Sequence, residues 1–224
     1  GVNHKAKNYR ALSFPLNKGG LRGLFFSLLI SFLLLTASQA FAESAPILKL
    51  DTGGHMAPIR KIIAMGDGRR IISASDDKTI RIWDTSTGQE TAKILGQIGG
   101  GPEGQIFAIA LIPDRNIQGQ APDETWLAVG GFLNNEGNKE WGNIRIYDLK
   151  TGALIKVLKS HESVVNDLAV SSDGRYLVSG SADMTAKVWD IADNFSLIHT
   201  FKGHTNAVYA VRVFKDKGDY KIVS

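Results

Sequence analysis

The chain has 224 residues, of which 43% are hydrophobic and 21% are charged, and it contains no cysteine. The absence of cysteine excludes disulfides, thiolate nucleophiles and cysteine-ligated metals within this sequence. The formal net charge of +4 originates in residues 1–42, because the remaining residues hold 21 basic and 22 acidic side chains. Residues 43–224 therefore lack the general positive charge that is expected of a nucleic-acid-binding domain.

The first 42 residues have the organisation of a secretory signal peptide. Basic residues precede an apolar run over Leu24–Leu35, and Ala40–Ala42 reads Ala-Phe-Ala, which fits an Ala-x-Ala cleavage site. We therefore predict a signal peptide over residues 1–42 that is removed after its last residue. The alternative is an uncleaved membrane anchor over residues 24–42, for which the apolar run is short because a membrane span needs about 20 residues.

The sequence after the leader contains two complete copies of one phrase. In each copy a His precedes an apolar stretch, an Asp-Gly turn, a strand-like run with serines and a closing Trp-Asp pair. The distance from the His to the Asp of the Ser-x-Asp segment is 22 positions in both copies, and the distance from the His to the Trp is 28 positions. The first copy contains His55, Asp77 and Trp83, and the second contains His161, Asp183 and Trp189. An internal repeat with a period of about 40 residues indicates a propeller or a solenoid.

Two further copies are incomplete. Ile144–Asp148 stands where the middle copy should have its Trp-Asp pair, and this copy is about 20 residues longer than the others. The extra residues fall in Pro113–Glu124, predicted as a loop between strands one and two, and in Phe132–Trp141, predicted as a loop between strands two and three. The last copy begins at His204 and stops at Ser224, so we expect the sequence to be truncated within this copy.

Short runs rich in Val and Ile, bounded by Gly or Asp, predict strands throughout residues 43–224. No window beyond the leader has sustained helical periodicity, so the predicted fold class is all-β. The predicted strands are Ile59–Met65, Arg70–Ser75, Thr79–Trp83, Ile106–Ile112, Trp126–Gly130, Val164–Val170, Tyr176–Ser181 and Val208–Phe214.

With these residues at these spacings, residues 46–224 resemble the WD-repeat β-propeller family. The resemblance implies a β-propeller of four-stranded blades that is incomplete here, with three to four blades out of the roughly seven that are usual in the family. It also implies that Pro46–Asp51 supplies the outermost strand of the last blade. The resemblance places the blade phrases at about 54–95, 96–159, 160–202 and, in part, 203–224.

The resemblance further implies a hydrogen-bond network inside each well-formed blade. In this network the His binds the Asp of the turn between strands two and three, and a Ser of strand two links the His to the Trp of strand three. The predicted members are His55, Asp77, Ser73 or Ser75, and Trp83 in one blade, His161, Asp183, Ser179 or Ser181, and Trp189 in another, and His204 in the last copy. A His–Asp–Ser set also suggests a catalytic triad, but its recurrence in each good blade favours a structural role.

No other pattern predicts chemistry. Gly99–Gly104 fits a dinucleotide-binding motif only formally, because a strand follows it where the motif requires a helix. We therefore predict no catalytic residue, no cofactor and no metal site in this sequence.

The loop Phe132–Trp141 is the candidate partner-binding element. Loops between strands two and three emerge on the same face as the Gly-His turns, where members of this family commonly bind partners. Aromatic anchors beside polar neighbours suit a binding hot spot, whereas the alternative is that Trp141 folds back onto its own blade. The candidate residues are Phe132, Asn134, Asn135, Lys139 and Trp141.

We predict an exported protein–protein interaction scaffold without catalysis of its own, located in the bacterial periplasm or, alternatively, anchored in the cytoplasmic membrane. Its expected partners are other proteins and not nucleic acid, with membrane contact only through residues 24–42 if they are retained. The alternative function is a regulatory or substrate-recognition propeller of a larger enzyme, such as a caspase-like peptidase or a kinase. A third interpretation, a ligand-binding or catalytic propeller with its site in the central channel, requires several acidic or His side chains that converge at the channel mouth.

Overall fold

The computed structural model describes residues 53–113, 126–134 and 141–224, which belong to one compact unit. These described residues form β-strands and turns and contain no α-helix, which confirms the predicted all-β class. Accordingly, no helix in the described ranges is long and apolar enough to cross a membrane. The predictions that lie outside the described residues are the leader over 1–42, the strand Pro46–Asp51, most of the loop Pro113–Glu124, and the loop residues Asn135 and Lys139.

The strands form three four-stranded antiparallel sheets and one hairpin, here named blades 1 to 4. Within each sheet the strands follow one another in chain order, so each blade is a simple meander. Blade 1 comprises β1 (Ile59–Ala64), β2 (Arg70–Ser75), β3 (Thr79–Asp84) and β4 (Glu90–Leu95), and blade 2 comprises β5 (Ile106–Ile112), β6 (Trp126–Gly131), β7 (Gly142–Asp148) and β8 (Leu154–His161). Blade 3 comprises β9 (Val165–Val170), β10 (Tyr176–Ser181), β11 (Thr185–Asp190) and β12 (Ser196–Lys202), and blade 4 comprises β13 (Arg212–Asp216) and β14 (Asp219–Val223).

The hydrophobic core lies between neighbouring blades. In β6, Leu127 and Val129 pack into the core between blades 1 and 2, whereas Ala128 packs into the core between blades 2 and 3. A third core joins blade 3 to Val208 and Val211, which precede β13. Successive side chains of a strand point to opposite faces, so a blade with a neighbour on each side needs apolar residues at nearly every position of its middle strands.

Small residues on the second strand allow the blades to approach each other closely. A Cβ atom at Gly130 would lie 2.7 Å from Val165 Cγ1, and one at Gly180 would lie 2.7 Å from Val208 Cγ1. Real Cβ atoms do not come this near to a neighbouring carbon. A residue without a side chain is therefore required at both positions for the next blade to pack.

The last predicted inner strand, Val208–Phe214, differs from the observed one, because β13 begins only at Arg212. The N–H of Val208 donates to the carbonyl of Ser181 at 3.0 Å. The N–H of Val211 donates to the carboxylate of Asp167 in blade 3, also at 3.0 Å. In the register of β13 with β14, Arg212 pairs with Val223, so the residues before Arg212 lie opposite Ser224 and the positions after it.

The innermost strands of blades 1 to 3 share a β-bulge near their N-terminal ends. One residue is skipped in the pairing with the second strand, namely Arg60 in β1, Phe107 in β5 and Asn166 in β9. A bulge leaves its extra residue unpaired and changes the direction of that side chain. The three skipped residues therefore occupy corresponding positions at the same rim of their blades.

Candidate functional site

In blade 1, His55 lies between a carboxylate and a hydroxyl group. Its Nδ1 is 2.8 Å from Asp77 Oδ2, and its Nε2 is 2.7 Å from Ser73 Oγ. The indole N–H of Trp83 donates to the same Ser73 oxygen at 2.7 Å. In a neutral imidazole Nδ1 then donates to the carboxylate, and Nε2 accepts the hydroxyl hydrogen of the serine. Four side chains, from the segment before β1, from β2, from the turn after β2 and from β3, are joined in this way.

Blade 3 repeats the same arrangement. His161 Nδ1 is 2.7 Å from Asp183 Oδ2, and His161 Nε2 is 2.7 Å from Ser179 Oγ. The indole N–H of Trp189 donates to Ser179 Oγ at 3.0 Å. The two networks therefore agree in partners, atoms and spacing, although the blades that contain them are not adjacent.

Of each predicted pair of serines, the first contacts the His and the second shapes the turn. Ser75 Oγ donates to the carbonyl of Ala57 at 3.1 Å and accepts the N–H of Asp77 at 3.1 Å. Ser181 makes the equivalent contacts in blade 3. These bonds hold one tight turn in each blade, which ends at Lys78 in blade 1 and at Met184 in blade 3. The φ angles of these two residues are 70° and 67°, a region that residues other than Gly rarely adopt.

The buried carboxylates of both networks remain charged. Burial opposes the charge of Asp77, but hydrogen bonds from Thr79 and His55 outweigh it and hold the pKa of this carboxyl below its usual value. Burial likewise opposes the charge of Asp183, and hydrogen bonds from His161 and Thr185 lower its pKa well below the usual range. Hydrogen bonds to the ionised form stabilise that form, so both carboxylates act as fixed acceptors.

The chain of contacts from Ser through His to Asp has the order of a catalytic triad, but both serine oxygens lie in the interior. Ser73 is only 2% exposed and Ser179 is fully buried, so a substrate carbonyl cannot reach either oxygen. Each oxygen also accepts the N–H of a Trp. A nucleophile must contact the reacting atom, whereas a fully bonded buried network stabilises the fold. The geometry therefore favours a structural role for both sets.

His204 forms the start of a third network. Its Nε2 lies 2.7 Å from Ser224 Oγ. The pairing register of β13 with β14 places Ser224 at the position that Ser179 holds in β10. The His and the Ser are 20 positions apart here and 18 in blade 3, because the hairpin of blade 4 is longer. This difference in spacing is the reason that the sequence alone did not identify Ser224.

Blade 2 lacks this network at the corresponding positions. The pairing register places Val129 where blade 1 has Ser73, and Tyr147 where blade 1 has Trp83. Both residues are buried in the core between blades 1 and 2. An apolar side chain thus takes the place of the hydroxyl group that links the His to the Trp in the other blades.

A different polar cluster stabilises blade 2, and its centre is Gln97. The side-chain oxygen of Gln97 accepts hydrogen bonds from Arg145 Nη2 at 2.8 Å and from the N–H of Asn134 at 3.1 Å. Its amide nitrogen donates to Glu103 Oε1 at 2.7 Å and also to the side chain of Asn134. The cluster ties the Gly-rich segment before β5 to the loop after β6. No motif in the sequence indicated it.

Asn134 was predicted to contact a partner, and the structure corrects this. Its side chain is buried, and its amide and backbone groups bond to Gln97 and Arg145. A buried and bonded amide is not available at a surface. Asn134 is therefore part of the support of the loop.

The aromatic residues of the same loop lie at the surface. The ring of Phe132 contacts Phe107 and Trp141 edge-to-face, with centroid distances of 5.3 and 5.9 Å. The guanidinium of Arg60 lies 5.2 Å from the centroid of Phe107 and forms an ion pair with Asp76. Trp141 thus packs back onto its own blade, and all three rings stay partly exposed.

We call Arg60, Phe107, Phe132 and Trp141 the aromatic row. Sequence reasoning missed Arg60 and Phe107, because both are the skipped residues of β-bulges, and the bulge is visible only in the strand pairing. The bulge turns them toward the rim at which the loop after β6 emerges.

On the inner strands, one acidic residue and two basic residues converge. Asp167 of β9 accepts ion-pair contacts from Lys61 of β1 and from Arg212 of β13. Within the described residues no group of three or more His, Cys, Asp or Glu side chains is arranged to hold a metal ion. The convergence of acidic or His side chains that a catalytic channel would need is not seen in this part of the chain.

Comparison with known proteins gives matches to WD-repeat proteins. The family model described as "WD domain, G-beta repeat" matches residues 46–84, 152–190 and 195–224.

The chain is 29% identical over 175 residues to Nuclear distribution protein nudF of Aspergillus niger, covering 67% of this chain and 39% of that protein. It is 32% identical over 179 residues to Ribosome biogenesis protein WDR12 homolog of Trichoplax adhaerens, covering 77% of this chain and 35% of that protein. It is 42% identical over 89 residues to WD repeat and SOCS box-containing protein 1 of Homo sapiens, covering 39% and 19%. The chain spans less than half the length of these relatives.

The predicted location, periplasmic or anchored in the cytoplasmic membrane, is wrong. The relatives named above come from eukaryotes, which have no periplasm, and their names refer to nuclear distribution, ribosome biogenesis and a SOCS box. The bacterial origin that we assumed is not supported for the same reason. The prediction rested on the composition of residues 1–42, and such a pattern carries no information about the family of the domain that follows it.

Two solved structures resemble this one, that of U3-55K and that of the RRP9 WD40 repeats. Each has a TM-score of 0.59 and 24% sequence identity, and each match covers 73% of this chain and 45% or 44% of the other chain. This likeness confirms the predicted fold, an incomplete β-propeller of four-stranded blades. The repeated phrase, the meander blades and the matches to the family agree, and the chain contains WD repeats over the matched residues.

Proposed function

We propose that this chain is a protein–protein interaction platform without catalysis of its own, and that the aromatic row is its contact surface. The observation that carries the proposal is the continuous contact of three partly exposed rings, Phe107, Phe132 and Trp141, at one rim of the propeller. Large aromatic side chains and Arg dominate the binding energy of protein interfaces, because they provide contact area at a low cost in side-chain entropy.

Hydrogen bonds hold the aromatic row in place in the free protein, and this order favours binding. The N–H of Phe132 donates to the carbonyl of Gln105 at 2.9 Å, and the carbonyl of Phe132 accepts the N–H of Gly104 at 2.8 Å. The cluster around Gln97 holds Asn134, which is two positions after Phe132. A surface that is ordered in the free protein loses less entropy on association.

The arginine at the end of the row adds a polar contact. Arg60 is about half exposed, and it binds both carboxylate oxygens of Asp76 through Nε and Nη2 at 2.6 to 3.0 Å. This ion pair fixes the guanidinium above the ring of Phe107. The partner that fits the row therefore has an apolar or aromatic anchor for the rings and hydrogen-bond acceptors near the guanidinium.

The test is affinity capture with the tagged full chain from an extract of the cells that express it, quantified by mass spectrometry. The unaltered chain retains a set of proteins, and we expect the amount of these proteins to fall at least about tenfold with Trp141→Ser. A loss of this size is typical of the removal of a hot-spot side chain. The matched control is Ile155→Ser, which removes an exposed apolar residue from β8 of the same blade.

Near-ultraviolet circular dichroism establishes that both variants keep their tertiary structure. If folded Trp141→Ser and Ile155→Ser retain the same proteins in the same amounts as the unaltered chain, the aromatic row is not the contact surface.

A further inference from the structure

Charged side chains from three blades meet on the inner surface of the propeller. Lys61 Nζ is 2.7 Å from Asp167 Oδ1, and Arg212 Nη1 is 2.7 Å from Asp167 Oδ2. The N–H of Val211 donates to the second of these oxygens at 3.0 Å. One carboxylate therefore holds two cations, and the cluster has one positive charge in excess.

The three side chains differ in their access to solvent. The side chain of Asp167 is 6% exposed, whereas those of Lys61 and Arg212 are 30% and 64% exposed. Burial opposes the charge of Asp167, but hydrogen bonds from Lys61 and Val211 outweigh it and keep the pKa of this carboxyl below its usual value. Asp167 thus acts as a buried anchor that orients two cations, and each cation keeps a part of its surface toward solvent.

An open groove of about 340 Å³ adjoins the cluster, and Lys61 and Arg212 form part of its wall. The remaining wall is aliphatic and comes from the inner strands, with Ile109, Leu168 and Val213 among its residues. Low-dielectric walls strengthen the field of the charges that line a cleft. A cleft with basic residues in an aliphatic wall therefore attracts anions.

We propose that this groove binds an anionic group, a phosphate or a carboxylate, between Lys61 and Arg212. Each cation reaches one oxygen of the same carboxylate, so a second anion of similar size is able to bridge them from the side of the groove. Charge-assisted hydrogen bonds from an ammonium and a guanidinium are the strong contacts of such sites. This site is separate from the aromatic row and does not depend on its function.

The experiment titrates the full chain with sodium phosphate and, separately, with sodium glutarate, by isothermal titration calorimetry at low ionic strength. Sodium chloride at matched ionic strength is the reference. We expect saturable binding, and we expect Lys61→Met and Arg212→Met each to weaken it about tenfold, as for loss of one charge-assisted hydrogen bond. Lys159→Met, which removes an exposed cation from β8, is the matched control and should bind as the unaltered chain does.

The two ions distinguish the sources of the anionic group. Tighter binding of phosphate assigns the site to a phosphate-bearing ligand, and tighter binding of glutarate assigns it to a carboxylate-bearing ligand. Absence of saturable binding of both ions to the unaltered chain overturns the proposal, as does equal affinity in Lys61→Met, Arg212→Met and Lys159→Met.

A second measurement needs no variant. The changes in amide chemical shift on phosphate addition should be largest in β1, β9 and β13, and changes confined to other strands contradict the site.

Discussion

His204 Nε2 lies 2.7 Å from Ser224 Oγ, and the same distance separates His161 Nε2 from Ser179 Oγ. The two contacts differ in burial, because His161 is enclosed by blades 2 and 3 whereas His204 is exposed. A hydrogen bond at the surface competes with water, and removal of one partner from a buried bond leaves the other unsatisfied. Burial and not bond length therefore decides how much each contact stabilises the fold.

The two histidines provide the first prediction. His161→Ala should lower the free energy of unfolding by about 2–4 kcal/mol, because the carboxylate of Asp183 and the hydroxyl of Ser179 lose a partner in the interior. His204→Ala should change it by less than about 0.5 kcal/mol. Urea denaturation followed by Trp fluorescence measures both values. Equal destabilisation by the two substitutions would show that burial does not govern these contacts.

A second prediction concerns the position that distinguishes blade 2 from blade 1. Ser73→Ala removes the oxygen that links His55 to Trp83 and should lower the free energy of unfolding by about 1–3 kcal/mol. Val129→Ser places a hydroxyl in an apolar core and should lower it by a similar amount. This position should therefore require a hydroxyl group in blade 1 and an apolar side chain in blade 2.

Thermal unfolding checks this pair of substitutions. The control is Ser172→Ala, an exposed position in the turn before β10, for which a change below about 0.5 kcal/mol is expected. A Val129→Ser variant as stable as the unaltered chain would contradict the assignment of this position to an apolar role.

The acid sensitivity of blade 3 is a third prediction. The pKa of Asp183 is lower in the folded chain than the value of about 4 in an unfolded one, so its contribution to stability is present above pH 4 and is lost as the pH falls below it. The difference in unfolding free energy between the unaltered chain and Asp183→Asn should therefore be largest at pH 7 and smaller at pH 3.

Urea denaturation at pH 7, 5 and 3 measures this difference. Asp219→Asn, an exposed substitution with the same change in charge, is the control for effects of net charge. A difference that stays constant over the three pH values, or that grows toward pH 3, is incompatible with a depressed pKa at Asp183.

A fourth prediction tests the end of the ladder between β7 and β8 in blade 2, where Gly142 pairs with His161. A Cβ atom at Gly142 would lie 1.9 Å from the carbonyl oxygen of His161, and backbone cannot move aside as a flexible side chain can. Gly142→Ala should therefore destabilise the fold by more than about 3 kcal/mol. Gly54→Ala is the control, because no atom lies within 4 Å of a Cβ at that position. Similar melting temperatures for the two variants would disprove the close contact.

The sequence was sufficient for features that are set within one blade. The spacings from His55 to Asp77 and to Trp83 are local, and the same spacings at His161 are enough to identify a repeated unit and its fold class. The resemblance to known repeats then named side chains that lie within hydrogen-bond distance in the structure. Where the local spacing changed, as between His204 and Ser224, the contact was not predicted.

By itself, the sequence determined the all-β class, the repeated blades and the aromatic residues of the loop Phe132–Trp141. The tertiary structure alone decided that Asn134 is buried, that Phe107 completes the row and that Lys61 reaches Asp167, 106 positions away. The physical reason is that alternation and turn residues act over a few positions along the chain. Bulges and contacts between blades depend instead on strand register and on how the sheets pack, which no local pattern encodes.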